Sequence, residues 1–164
     1  MQIATAFAVR RAARAAPRTS LGLLPLGPHA FGEAGEAIAC RVLEQAGWRV
    51  LARRLWAGDA EFDLLLARGA ELLICEVKAS RLPRVGATRT PSARADPAAD
   101  MTALRWRPAD RVDEDRVARL WSAARRLERD TRRTVHVEVI EVLCSGGFGA
   151  PVVTRLRLRA RGLG

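Results

Sequence analysis

E-F-D-L-L-L-A-R-G-A-E-L-L-I-C-E-V-K, from Glu61 to Lys78, is the stretch on which the reading of this chain turns. Two short apolar runs, 62–67 and 72–77, flank the turn Arg68-Gly69-Ala70-Glu71, which is the pattern of a β-hairpin. A turn centred between Gly69 and Ala70 sets Leu65 opposite Ile74, Asp63 opposite Glu76, and Glu61 opposite Lys78. Side chains alternate across a strand, so Phe62, Leu64, Leu66, Leu73, Cys75 and Val77 are expected on one wholly apolar face. The other face then holds Leu65, Ala67, Leu72 and Ile74 near the turn, and Glu61, Asp63, Glu76 and Lys78 at the open end. Like charges opposed at a Cβ spacing of about 4.5–5.5 Å repel each other. Asp63 against Glu76 therefore destabilises the pair unless a cation lies between them. A solvent-facing hairpin end with a Glu–Lys ion pair is the plainer alternative.

Lysine usage weighs against that alternative. The chain has 28 Lys plus Arg, and Lys78 is the only lysine, which leaves 27 arginines. Surface ion pairs in such a chain would fall to arginine. A compact ammonium can sit beside a phosphate or a water where a planar guanidinium cannot.

An acid followed after a turn by Glu76-Val77-Lys78 is similar to the PD-(D/E)XK nuclease motif. The wider pattern resembles the YraN-type family of small bacterial endonuclease-like proteins, whose biochemical role is uncharacterised. The resemblance rests on Gly35-Glu36 with Ala39, on Gly47-Trp48, on Glu61-Phe62-Asp63-Leu64 and on Glu76-Val77-Lys78. It is echoed around 116–127 and at His136-Val137-Glu138-Val139, and it covers about 35–140. The chain departs from the pattern at Ala60, where the family has Gly, and at Arg116, where Lys is usual. His136 and Glu138 replace an Arg and an Asp. The resemblance implies an α/β fold with a restriction-endonuclease-like core, a mixed β-sheet flanked by helices. It also implies a metal-dependent nuclease in which Asp63, Glu76 and the Val77 carbonyl hold Mg²⁺ or Mn²⁺. Glu36 is then an outer or second ligand, and Lys78 orients water or steadies the phosphate.

At 164 residues the chain reads as one domain, over 31–164, preceded by a flexible basic arm over 1–30. The arm contains no acid and carries Arg10, Arg11, Arg14 and Arg18. It has the Arg-rich look of a targeting segment, but 21–26 is too short and too Pro-broken for an export core. A helix is expected over 31–46, stopped by Gly47. It would carry Glu36 near its N-terminus and in line with Cys40 and Leu43, with Gly32 and Gly35 allowing close approach. The first strand is expected over 48–56, making a three-stranded meander with the hairpin.

An Arg/Pro-rich insertion over about 79–110 follows Lys78. Its Arg81, Arg84, Arg105 and Arg107 either clamp a phosphate backbone or lie on a solvated loop. Asp113-Glu114-Asp115 opens a second helix with a core stripe of Val117, Leu120, Ala124 and Leu127. A strand follows over 135–143, with His136 and Glu138 read as structural. The last strand, 152–158, alternates Arg155, Arg157 and Arg159 with apolar residues. Its basic face lines a phosphate track or protects a sheet edge.

A net charge of +10 and a pI near 11.4 favour a polyanionic partner, nucleic acid first, with DNA and RNA undistinguished. Cys40, Cys75 and Cys144 have no metal-ligand spacing and fall in apolar stretches, as expected of buried free thiols in a reducing, cytoplasmic setting. No run approaches the ~18 apolar residues of a membrane helix. Two function classes follow: a sequence-nonspecific metal-dependent nuclease cutting DNA or RNA, or a non-catalytic nucleic-acid-binding or assembly module on a nuclease scaffold.

Overall fold

The structure, a computed structural model, describes residues 8–10 (backbone only), 26–58, 60–81, 108–144 and 151–159. Helix α1 spans Pro28–Gln45, a turn earlier than the sequence suggests. Pro28 sits at N1, where its missing N–H is no loss, and the Phe31 N–H donates to the Gly27 carbonyl at 2.9 Å. The early start moves Glu36 out of the first turn and into the body of the helix, so the expected N-terminal dipole does not act on it. Gly47, at φ +84°, ends the helix.

Strands β2 (Arg49–Ala57), β3 (Ala60–Arg68) and β4 (Glu71–Arg81) follow as the expected antiparallel meander. The β3–β4 turn has two residues, with Gly69 at φ +55°. Its register is the expected one, pairing Leu65 with Ile74 and Arg68 with Glu71. Strand β4 runs on to Arg81, into the stretch expected as an insertion. Its parallel partner β5 (Thr134–Cys144) matches it residue for residue from Glu71↔Thr134 to Arg81↔Cys144. Residues 82–107, with Arg84, Arg105 and Arg107, lie outside the described residues.

A 3-10 turn at Pro108–Arg111 leads to helix α2 (Glu114–Thr131). Asp113 caps it, accepting the Arg116 N–H at 2.7 Å. Strand β6 (Val152–Arg157) pairs antiparallel with β5. Ala8–Arg10, part of the segment expected to be a flexible arm, lies against β6 as β1. Strand β6 is therefore interior and not an edge, and the sheet order is β1-β6-β5-β4-β3-β2.

The two faces of this mixed sheet carry separate cores. Helix α1 covers Leu64, Leu66, Leu73, Cys75, Val77, Ile140 and Val142. Helix α2 brings Leu120, Ala123 and Ala124 onto Leu65, Ala67, Leu72, Ile74, Val135 and Val137. Helix α1 comes so close to β4 that a Cβ on Gly35 would lie 2.5 Å from that of Ala79. Gly32, also expected to permit close approach, has open space around it.

One expectation about faces is corrected. Phe62 packs on the α2 side, whereas Leu64 and Leu66 lie on the α1 side. A strict two-residue period would put all three together, so the alternation of β3 breaks at Asp63. Opposite it, Arg54 is left-handed at φ +49°, and the β2–β3 ladder skips the Arg54–Asp63 pair.

Candidate metal and phosphate site

Strands β3 and β4 part company beyond Leu64↔Cys75. From there β3 stays paired with β2 as far as Ala57↔Ala60, while β4 stays with β5. Asp63 sits in this fork. It does not simply face Glu76: its Oδ2 turns toward β4 and accepts the Val77 N–H at 2.6 Å. A buried backbone donor needs a partner, and where the ladder has opened the Asp63 carboxylate supplies one.

That position is costly for a charge. Desolvation pushes the Asp63 pKa up to about 6, and the carboxylates of Glu76 and Glu36 push in the same direction. The Val77 N–H and Lys78 oppose the shift without cancelling it. Glu76, Glu36 and Lys78 thus act on Asp63 from two other elements. Asp63 sits at the fork, Glu76 and Lys78 on β4, and Glu36 on α1.

Glu76 is 3% exposed and has two cations to itself. Lys78 Nζ lies 2.7 Å from Oε1, and Arg116 Nη2, from the first turn of α2, lies 2.6 Å from Oε2. Two charge-assisted contacts of this length make a burial tolerable that an unpaired carboxylate would not survive. Sequence reasoning did not place Arg116 here, although a signal existed. A cation in the first turn opposes the helix dipole and needs a partner beyond its own helix. Glu36 is held by Arg54, 3.4 Å away.

Glu141 is a second residue missed. It is fully buried, pairs with Lys78 across the parallel ladder, and accepts the Ala109 N–H at 3.1 Å. Its signal was a lone acid continuing the Val135-Val137-Val139 face, where an apolar residue is the norm.

The donors suit a hard cation in kind, since Asp63, Glu76, Glu36 and the Val77 carbonyl are all oxygen ligands. Among the described residues, however, no group of three or more His, Cys, Asp or Glu is gathered closely enough to hold an ion. Lys78 and Arg116 occupy the two oxygens of Glu76, and Arg54 is paired with Glu36. A divalent ion held by Glu76 would compete with Lys78 and Arg116 for its carboxylate.

Of the basic residues proposed from sequence, the described ones, Arg81, Arg155, Arg157 and Arg159, are engaged or placed separately. Arg81 stacks over Phe31 at 4.0 Å and donates to the Leu26 carbonyl. Arg155 and Arg157 converge on buried Glu138 at 2.7 and 3.7 Å, and Arg159 lies exposed just beyond β6. His136, read from sequence as structural like Glu138, bonds Glu71 at 2.9 Å. The three cysteines are free and buried, and no described helix is long and apolar enough to cross a membrane.

Comparison with known proteins places similarity over this same region. The uncharacterised protein family UPF0102 matches residues 35–142, which include every residue of the fork. A UPF0102 protein of Parvibaculum lavamentivorans is 41% identical over 73 residues, 44% of this chain and 51% of that one. One from Methylorubrum populi is 35% identical over 102 residues, 62% of this chain and 69% of its own. A third, from Azorhizobium caulinodans, is 47% identical over 53 residues, 32% and 40% of the two chains. The match spans about half the length of the Parvibaculum relative.

Proposed function

We propose that this chain, which belongs to the uncharacterised protein family UPF0102, is a metal-dependent nuclease hydrolysing phosphodiester bonds in DNA or RNA without reading sequence. The observation that carries the reading is the fork itself. A carboxylate whose pKa stands near 6 through burial and two neighbouring acids is poorly placed for stability. It is well placed to receive a cation.

Asp63, Glu76 and the Val77 carbonyl would hold Mg²⁺ or Mn²⁺, with Glu36 as an outer or second ligand. When bound, such an ion withdraws charge from a phosphate and lowers the pKa of water. The chain's own groups do the rest. Lys78, anchored at 2.7 Å on Glu76, presents an ammonium to the phosphate as charge grows on it. Arg116, once relieved of Glu76, is a second cation for a phosphate oxygen. The net charge of +10 draws a polyanion toward the fork through contacts that do not depend on base identity.

A second reading has its own observation. Glu76 is already satisfied by two cations, which suits a scaffold that binds nucleic acid and does not cut. Lys78→Arg separates the two. It keeps the charge, so affinity for nucleic acid holds, while cleavage falls by about a hundredfold or more, the loss typical of one preorganised electrostatic group. Affinity and cleavage are measured on one preparation at fixed salt, with Mg²⁺, Mn²⁺ or EDTA. Wild-type protein that binds but never cuts with either metal sinks the nuclease reading.

A further inference from the structure

Trp56 is 63% exposed, and among the described residues only Leu51, at 40%, is another exposed large apolar side chain. Of the other tryptophans, Trp48 is buried, Trp121 is half-buried, and Trp106 lies outside the described residues. Leu55 and Ala57 pack on the α2 side, so Trp56 between them faces the α1 side, that of Glu36. It stands on β2, the outermost strand, and pairs across the ladder with Glu61, two residues from Asp63. At a rise of about 3.3 Å per residue and a strand spacing of about 4.8 Å, its Cα lies roughly 8 Å from that of Asp63.

We infer that Trp56 is a stacking platform for an unpaired nucleobase, which makes the substrate of the fork a nucleic acid with a single-stranded stretch at the point of cleavage. This deepens the nuclease reading and rests on it for the identity of the partner. The surroundings fit a polyanion. Arg49 and Arg53 are exposed on the same strand, where Arg54 is ion-paired with Glu33 and Glu36. Arg126 reaches the β2–β3 turn, with Nη1 3.8 Å from where a Cβ on Gly58 would stand. An aromatic face accepts any base, so stacking adds affinity without sequence preference. Roughly 8 Å is close enough for a stacked base to set which phosphate meets the fork. Paired bases inside a duplex cannot reach such a platform.

A second copy of the chain is the competing occupant, since an edge strand can template another. Strand β2 is poorly made for that. The register slips between Val50 and Ala52, Arg54 is left-handed, and charge runs along the edge. Each of these devices discourages strand addition.

The test uses the full chain in EDTA, so that binding is read without cleavage. Labelled single-stranded and fully paired DNA of one sequence are titrated at fixed salt. Wild type is expected to prefer the single strand, and the single strand to quench its tryptophan fluorescence. Trp56→Ala is expected to lose about ten- to a hundredfold in affinity for the single strand and to keep its affinity for the duplex. Trp56→Phe should retain most of both, because the ring survives. Equal loss on both DNAs, or no loss on either, overturns the platform. So does a wild type that sediments as a dimer while Trp56→Ala sediments as a monomer. If Trp56-dependent binding holds but no metal supports cleavage, the nuclease reading falls and the platform stands.

Discussion

The two ends of the β3–β4 hairpin are built in opposite ways. At the turn, Leu65 to Ala67 and Leu72 to Ile74 are buried between two helices, with ladder bonds made and cross-strand neighbours apolar. At the open end the ladder stops, Asp63 substitutes its side chain for a backbone acceptor, and three acids and two cations crowd around. The closed end shows where this fold finds its stability. The open end shows where stability has been given up, and such local conflict marks functional ground more often than structural ground.

The contrast breaks first under large-to-small substitution. Leu73 is fully buried at the closed end, between Leu66 and His136 on its neighbouring strands. Leu73→Ala is expected to cost about 2–5 kcal/mol, the range for a buried leucine that leaves a cavity. Urea unfolding measures it. Metal affinity and cleavage per folded molecule should not change, because nothing at that end faces the fork.

At the open end the sign reverses. In the folded state Asp63 titrates near 6, against 3.8 as its ordinary value. The folded protein therefore holds a proton that the unfolded chain has released. The favourable contribution of protonated Asp63 is complete below 3.8 and is gone above about 6, so this group makes stability fall as pH rises through that window. Asp63→Asn keeps an acceptor for the Val77 N–H and removes the charge. It should stabilise the metal-free protein at pH 7 by about 1–3 kcal/mol after allowance for solvent screening, and flatten the fall between about pH 4 and pH 6. Urea midpoints across that range decide it; a destabilised Asp63→Asn would make the open end ordinary structure.

Much of this contrast was legible in the residues. The Gly69-Ala70 turn fixed the register, Asp113 announced α2, and the solitary lysine pointed to the fork. What could not be read depends on long-range geometry. The break in alternation at Asp63 follows from a left-handed Arg54 on the neighbouring strand, and arginine carries no signature of that backbone state as glycine does. The extension of β4 to Arg81 depends on a parallel partner more than fifty residues away. Parallel pairing leaves no local turn to read. Arg116 and Glu141 meet the site only through that same crossover, although each broke a local rule that could have flagged it.

Arg116 supplies the finest test of the contrast, because it ties the buried carboxylate of the open end to α2. Its guanidinium lies 2.6 Å from Glu76 Oε2, and its own backbone N–H is held by Asp113, so the first turn of α2 is pinned over the fork. If the fork is a cation site, Arg116 and a divalent ion compete for one carboxylate. Arg116→Ala should then bind Mn²⁺ about tenfold more tightly, a gain of about 1.4 kcal/mol, as read by calorimetry. The metal-free variant should lose some stability, because Glu76 keeps only Lys78 as a partner, and Mn²⁺ should restore it. If Glu76 is instead a purely structural acid, the variant is weakened in the same way but Mn²⁺ restores nothing and no heat of binding appears. The two outcomes differ in whether the metal moves one melting curve at all, which makes this small substitution the sharpest way to tell a metal-binding fork from a merely charged one.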